Sequence, residues 1–323
     1  MAETVQMKKK SSLSKIGLLN LTVVYIVWGS TYLAIRVGVR PGSGFTPFVF
    51  GAMRVLTAGS ILLALAALTH QRLRLTRKEL FTLAASGLLL WLGGNGLVTF
   101  AEQRADSGLA ALVIAGAPIW VAIYNAIASH KMPSLLVIGA LLIGMTGIVL
   151  LSMPLLLSGV KADFLEVVII VSASICWAGG AWLQSRTKID LPPTVSSGYQ
   201  MVFGGIGFAL AALATREPLP TPIPQAWLAW SYLVVFGSLL AFTSFIRVLR
   251  LLPTNIAMTY SYVNPVIAVI LGWVILNEQI TYWTVAGAAL ILLGVAGAFQ
   301  AHSRETNAQP EPVQQEDSEP ISV

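Results

Sequence analysis

From about residue 16 to residue 300 the sequence alternates between apolar stretches of about 20 residues and short polar links. A helix of about 20 residues, rising about 1.5 Å per residue, crosses a hydrocarbon core of about 30 Å, so each stretch predicts a transmembrane helix. The pattern predicts ten, at about 16–37, 45–69, 79–101, 106–129, 134–156, 164–185, 194–214, 225–247, 254–276 and 281–300. Links this short make neighbours antiparallel and leave no inserted soluble domain. Residues 1–15 form a polar tail with no small-residue cleavage pattern after it, so the first span is expected to be retained rather than removed as a signal peptide. After Gln300 the chain turns acidic and proline-rich, and residues 301–323 are expected to be a disordered tail.

Two spans contain a helix breaker. Pro118 and Pro265 have no N–H to give, which leaves the carbonyls of Ile114 and Ser261 without helical partners. In lipid that loss is tolerated only beside protein, a polar side chain or a water-filled cavity, so both prolines are candidate bend points for gating. They are 147 positions apart; Trp28 and Trp177 are 149 apart, and Gly139-Ala140 and Gly287-Ala288 are 148 apart. The near-constant offset predicts a repeat, 16–157 followed by 162–300. Each copy holds five spans, an odd number, so the second must lie upside down relative to the first. The expected fold is an all-α integral membrane protein of ten transmembrane helices in two inverted five-helix repeats, with a substrate site where they meet.

Composition supports this: 56% of residues are hydrophobic and 11% charged, where a soluble domain carries about 25% charged residues. The net charge of +6 does not point to nucleic acid, because the basic residues sit in short links. With a cytoplasmic N-terminus, that side of the membrane receives Lys8, Lys9, Lys10, Lys15, Arg72, Arg74, Arg77, Lys78, Lys131, Arg186, Lys188, Arg247, Arg250 and Arg304. The other side receives Arg36, Arg40, Arg104, Lys161 and Arg216, and only Arg54 falls within a span away from its ends. The asymmetry places both termini in the cytoplasm. The single cysteine, Cys176, excludes a disulfide framework within one chain, and no metal or cofactor is expected.

The ten-span pattern, the stretch Tyr25-Ile26-Val27-Trp28-Gly29-Ser30-Thr31, the Ala117-Pro118 and Asn264-Pro265 spans and the closing Leu276-Asn277-Glu278 resemble the EamA-type carriers of the drug/metabolite transporter superfamily. The resemblance covers about residues 16–300. It implies a bacterial inner-membrane exporter of small metabolites, commonly amino acids or their derivatives, with a central cavity between two five-helix halves. Where an acid often closes the family's fourth span this chain has His130-Lys131, while Glu278 keeps the acid in the second half.

Few side chains within the spans can bind a polar solute. The candidates for the substrate are Trp28 and Thr31 in the first span, with Tyr32 beside them; Arg54 in the second; Trp91, Asn95 and Thr99, four apart, in the third; Tyr124 in the fourth; Trp177 and Gln184 in the sixth; and Tyr260 and Asn264 in the ninth. Ser238, Thr243 and Ser244 in the eighth span are expected to bond to their own helix. Arg54 costs about 2.5 to 3.5 kcal/mol at mid-span unless it faces protein or water. No carboxylate lies at its depth, so a substrate carboxylate is its candidate partner. Glu102, at the end of the third span, is the acid best placed to couple protons. Gly139, Gly144, Gly147, Gly287, Gly294 and Gly297 allow close helix packing within the bundle or in a homodimer. An intramembrane enzyme needs a nucleophile, paired acids or metal ligands at membrane depth, and the spans hold no HExxH, Gly-x-Ser-x-Gly or Walker motif. A sensor has no evident use for an inverted duplication. The expected partners are therefore a small-molecule substrate and the lipid bilayer.

Overall fold

The computed structural model describes residues 13–104, 110, 113–151, 153, 157, 164–276 and 281–308, and no strand occurs among them. Ten helices follow in order: α1 Lys15–Val39, α2 Pro47–Leu68, α3 Arg77–Ala101, α4 Ala117–Ser129, α5 Leu135–Leu151, α6 Phe164–Arg186, α7 Pro193–Ala214, α8 Pro224–Leu251, α9 Tyr260–Leu276 and α10 Tyr282–Ala308. Six of them, α1, α2, α3, α6, α7 and α8, are long and apolar enough to cross a membrane, while α4, α5 and the apolar part of α10 are shorter. Glu278 and residues 1–12 and 309–323 lie outside the described residues, whereas residues 301–308, expected to begin a disordered tail, continue α10 as helix because no proline or glycine interrupts them.

Helix ends follow local chemistry. The Ser14 hydroxyl accepts from Gly17 N at the start of α1, and Thr76 and Glu79 form a reciprocal capping box at the start of α3. Proline stands in the first turn of α2, α4, α7 and α8, where its missing N–H costs nothing. At the far ends, His70, His130 and Arg216 adopt left-handed φ values of 54°, 52° and 54°, closing α2, α4 and α7 at about 1 kcal/mol each.

Two features depart from the sequence expectation. Pro118 does not bend a continuous helix: the chain turns at Gly116, whose N–H bonds the Val113 carbonyl (3.1 Å), and α4 starts afresh with Pro118 in its first turn. The ninth span likewise breaks at Met258–Thr259, between a short turn at Thr254–Ala257 and α9, leaving Pro265 inside α9. Secondly, α3 and α8 are wound as wider π-helix over Leu88–Gly96 and Leu233–Phe242. These segments begin 145 positions apart, close to the repeat offset.

Contacts set the directions of the helices. Gly17 meets Leu251 and Leu252 at one end of the bundle, called here the proximal face, and Gly44 meets Thr221 at the distal face. Along α3, Leu90 meets Gly180, and Gly93 meets Cys176, so α6 runs antiparallel to α3. Hence α6 runs from distal to proximal, opposite to α1, its counterpart in the repeat.

Two glycine-lined seams join the halves. In α2 and α7, Gly59 faces the Gly198 carbonyl, Gly51 faces Phe208 and Gly205 faces Leu56. In α5 and α10, Gly147 faces Gly287 and Ile291, and Gly294 faces Gly144. Lipid tails are as apolar as leucine, so association relies on close van der Waals contact, which small residues allow. Gly139 is different: a Cβ there meets nothing within 4 Å. A Cβ at Gly147 would lie 2.6 Å from Ile291 N and 2.8 Å from the Gly287 carbonyl, and neither backbone atom can move aside. Gly147→Ala should therefore destabilise the purified protein by about 1 to 3 kcal/mol, while Gly139→Ala should not; thermal unfolding in one detergent compares them.

Candidate functional site

Between the seams lies a central cavity of about 60 Å³. One stripe of α1 supplies Trp28, Thr31, Tyr32 and Ile35; α2 supplies Arg54; α3 supplies Trp91, Gly94, Asn95 and Val98; and Ile114, Trp177, Tyr260 and Asn264 complete the lining. The volume holds a few waters and falls well below the roughly 300 Å³ at which ligand pockets begin, so the cavity is closed to a metabolite in this state.

Among the described residues Arg54 is its only charged lining residue. The side chain is 3% exposed; Nε donates to Ser238 Oγ (3.0 Å), Nη1 donates to Asn95 Oδ1 (3.4 Å), and the guanidinium lies 5.3 Å from the Trp91 ring centroid. Among the described residues no carboxylate pairs with it. A guanidinium has five N–H groups, so two bonds to neutral oxygens leave most of its capacity unused.

The proximal side of the cavity is closed by aromatic rings. Trp28 lies 5.4 Å from Trp177, 4.9 Å from Tyr260 and 5.0 Å from Phe245, centroid to centroid. The Trp28 indole N–H donates to the Gly237 carbonyl (3.1 Å) in the wide turn of α8, one reason the π segment matters for the site. Beside the rings, the Tyr25 hydroxyl and Thr259 Oγ1 share a 2.7 Å hydrogen bond. The Asn264 amide nitrogen, in the orientation that satisfies its surroundings, donates to the carbonyls of Tyr260 (3.0 Å) and Tyr25 (3.1 Å). These bonds fasten α9 to α1.

Past this partition a second cavity, about 590 Å³, opens at the proximal face. Thr259 and Tyr262 of the α9 region, Pro118 and Asn125 of α4, Lys131 and Arg186 are among its lining residues.

Of the residues expected to meet substrate, Trp28, Thr31, Arg54, Trp91, Asn95, Trp177, Tyr260 and Asn264 come together around the central cavity. Three do not. The Thr99 hydroxyl turns back to its own helix and bonds the Asn95 carbonyl (2.7 Å). Tyr124 packs beside Trp182 and donates to the Ile175 carbonyl (3.2 Å), which ties α4 to α6. Gln184 accepts from Gln200 Nε2 (3.0 Å), which also donates to Ser86 (2.7 Å), so it belongs to a buried node joining α3, α6 and α7. The seven-residue spacing to Trp177 puts Gln184 on the same helix face but two turns nearer the proximal end. Glu102 lies just beyond α3, 1% exposed, and neither carboxyl oxygen has a hydrogen-bond partner among the described residues.

Sequence reasoning assigned Ser238 to its own helix, whereas its hydroxyl oxygen accepts from Arg54. It also missed both π segments; the glycines at 93, 94 and 96 were the one local hint in α3.

The EamA-like transporter family profile matches the chain twice, over residues 15–153 and 164–300. The inner membrane transporter YedA of Escherichia coli K12 is 36% identical over 255 residues, 78% of this chain and 80% of its own length. The transporter YoaV of Bacillus subtilis is 23% identical over 86% of this chain and 94% of its own length. The S-adenosylmethionine/S-adenosylhomocysteine transporter of Chlamydia trachomatis serovar L2 is 22% identical over 86% and 88%. A solved crystal structure superposes with a TM-score of 0.72 at 20% identity, covering 90% of this chain and 99% of that one, which speaks for the fold alone. With two tandem matches to one profile and at least six spanning helices, this multi-pass membrane protein belongs to the EamA-like transporter family.

Proposed function

We propose that the protein is an alternating-access carrier that exports a small carboxylate-bearing metabolite, an amino acid or a derivative of one, across a bacterial inner membrane. The observation that carries this reading is Arg54, a buried guanidinium facing the central cavity without a carboxylate partner among the described residues. Burying such a cation is costly, and a substrate carboxylate that accepts its spare N–H groups offsets that cost while the aromatic walls cover the apolar remainder. A relative named as a transporter of S-adenosylmethionine, itself an amino-acid derivative, agrees with that class. In this reading the ten helices all span the membrane as inverted repeats, and the proximal, lysine- and arginine-rich face with both termini is cytoplasmic.

The small central volume and the much larger proximal cavity support an inward-facing state with its inner gate shut. Parting the rings of Trp28, Trp177, Tyr260 and Phe245 and breaking the Tyr25–Thr259 bond admits substrate. Pro265 supplies the bend in α9, and Pro118 lets α4 tilt about its own start. Glu102 is the proton-coupling group: burial of its carboxyl, which no hydrogen-bond donor among the described residues reaches, favours the neutral acid, and the Arg36 charge opposes this.

Arg54→Gln should slow liposome transport of carboxylate substrates about 10- to 100-fold and that of amide analogues little, with Arg54→Lys partly restoring the rate. Equal loss for both substrate types removes the carboxylate role. An imposed pH gradient should raise the initial rate, and Glu102→Gln should abolish the increase; a rate indifferent to the gradient removes coupling through Glu102.

A further inference from the structure

We propose that the 590 Å³ proximal cavity is a capture site for small oxyanions, metabolites bearing a carboxylate or a phosphate monoester, held by Arg186 and Lys131 with Asn125 and the Tyr262 hydroxyl completing the polar lining. Its volume lies within the roughly 300 to 1,000 Å³ of ligand pockets, whereas the central cavity does not. Among the described residues the lining includes two cations and no Asp or Glu.

Arg186 is oriented rather than loose. Its Nη2 donates to Asn125 Oδ1 (2.9 Å), the same oxygen accepts from the Trp182 indole N–H (3.0 Å), and the guanidinium lies 5.7 Å from the Trp182 ring centroid. One amide oxygen thus fixes the plane of the guanidinium while most of its N–H groups stay uncommitted. Independently, Tyr262 is 1% exposed, lines this cavity and has a hydroxyl with no hydrogen-bond partner among the described residues. A buried phenol left unsatisfied costs about 1 to 3 kcal/mol, a cost that an oxyanion accepting its proton removes. Tyr262 also lies one turn from Thr259, whose bond to Tyr25 closes the way to the central cavity. An anion held here waits at the gate. The proposal needs no role for Arg54, since the cavity can hold an anion whichever solute passes onward.

The test places a reporter thiol at Ala126→Cys, in the cavity lining, in a Cys176→Ala background, and treats reconstituted protein with negatively charged 2-sulfonatoethyl or positively charged 2-trimethylammonioethyl methanethiosulfonate. The anionic reagent should be favoured relative to its preference for free cysteine, and the ratio should fall about fivefold for each of Arg186→Gln and Lys131→Gln, as expected for unit charges about 8 Å apart in water. Inorganic phosphate or acetate should protect the thiol, the more effective anion identifying the headgroup, and Arg186→Gln and Tyr262→Phe should weaken protection. Arg54→Gln should leave ratio and protection unchanged, so this proposal and the carboxylate role of Arg54 fail separately. A ratio that neither substitution moves shows that the two cations only orient the chain. A biased ratio without protection by either anion overturns the binding site.

Discussion

Close backbone approach along α2–α7 and α5–α10 is the constraint on which the rest of the bundle depends. Water cannot drive helices together inside a bilayer, so the halves are held by contacts that glycine alone admits, such as Gly59 against the Gly198 carbonyl and Gly147 against Ile291 N. Two tight seams on opposite sides leave α1, α3, α6 and α9 around a space that need not close completely. The central cavity is a consequence of where the glycines are.

The duplication goes deeper than helix order. Arg54 of α2 bonds Ser238 of α8, and 146 positions later Gln200 of α7 bonds Ser86 of α3. Glu217 accepts from the N–H groups of Phe48 and Val49 at the start of α2, and 146 positions earlier Gln71 accepts from Thr194 at the start of α7. In each pair one member is charged and its counterpart neutral: Arg54 against Gln200, Glu217 against Gln71. Both charged members, Arg54 and Glu217, belong to the distal half of the bundle. The neutral node is closed by Gln184, while the charged one opens on the cavity, so the polarity of the site comes from asymmetry laid over a symmetric frame.

Much of the site was legible because the membrane makes polar residues conspicuous. Arg54, Asn95, Trp28, Trp177 and Tyr260 stand out within apolar stretches, and a polar group at that depth must face protein or water. That argument says nothing about which protein group it faces. Gln184, Tyr124 and Thr99 obey the same rule and satisfy it with Gln200, the Ile175 carbonyl and the Asn95 carbonyl, leaving no part in the cavity. Pro118 was readable as a break in the helix but not as the beginning of a new one.

The sequence alone determined the apolar periodicity, the repeat offset and the membership in a transporter family, because hydrophobic length and residue identity are local properties that lipid reads directly. Only the tertiary structure decided which polar groups pair with one another, where the wide turn of α8 presents the Gly237 carbonyl to Trp28, and that the central cavity is too small for a metabolite while the proximal one is not. Those depend on distances between residues more than 230 positions apart in the chain, as for Tyr25 and Thr259, which are 234 apart, and no local pattern encodes such a distance.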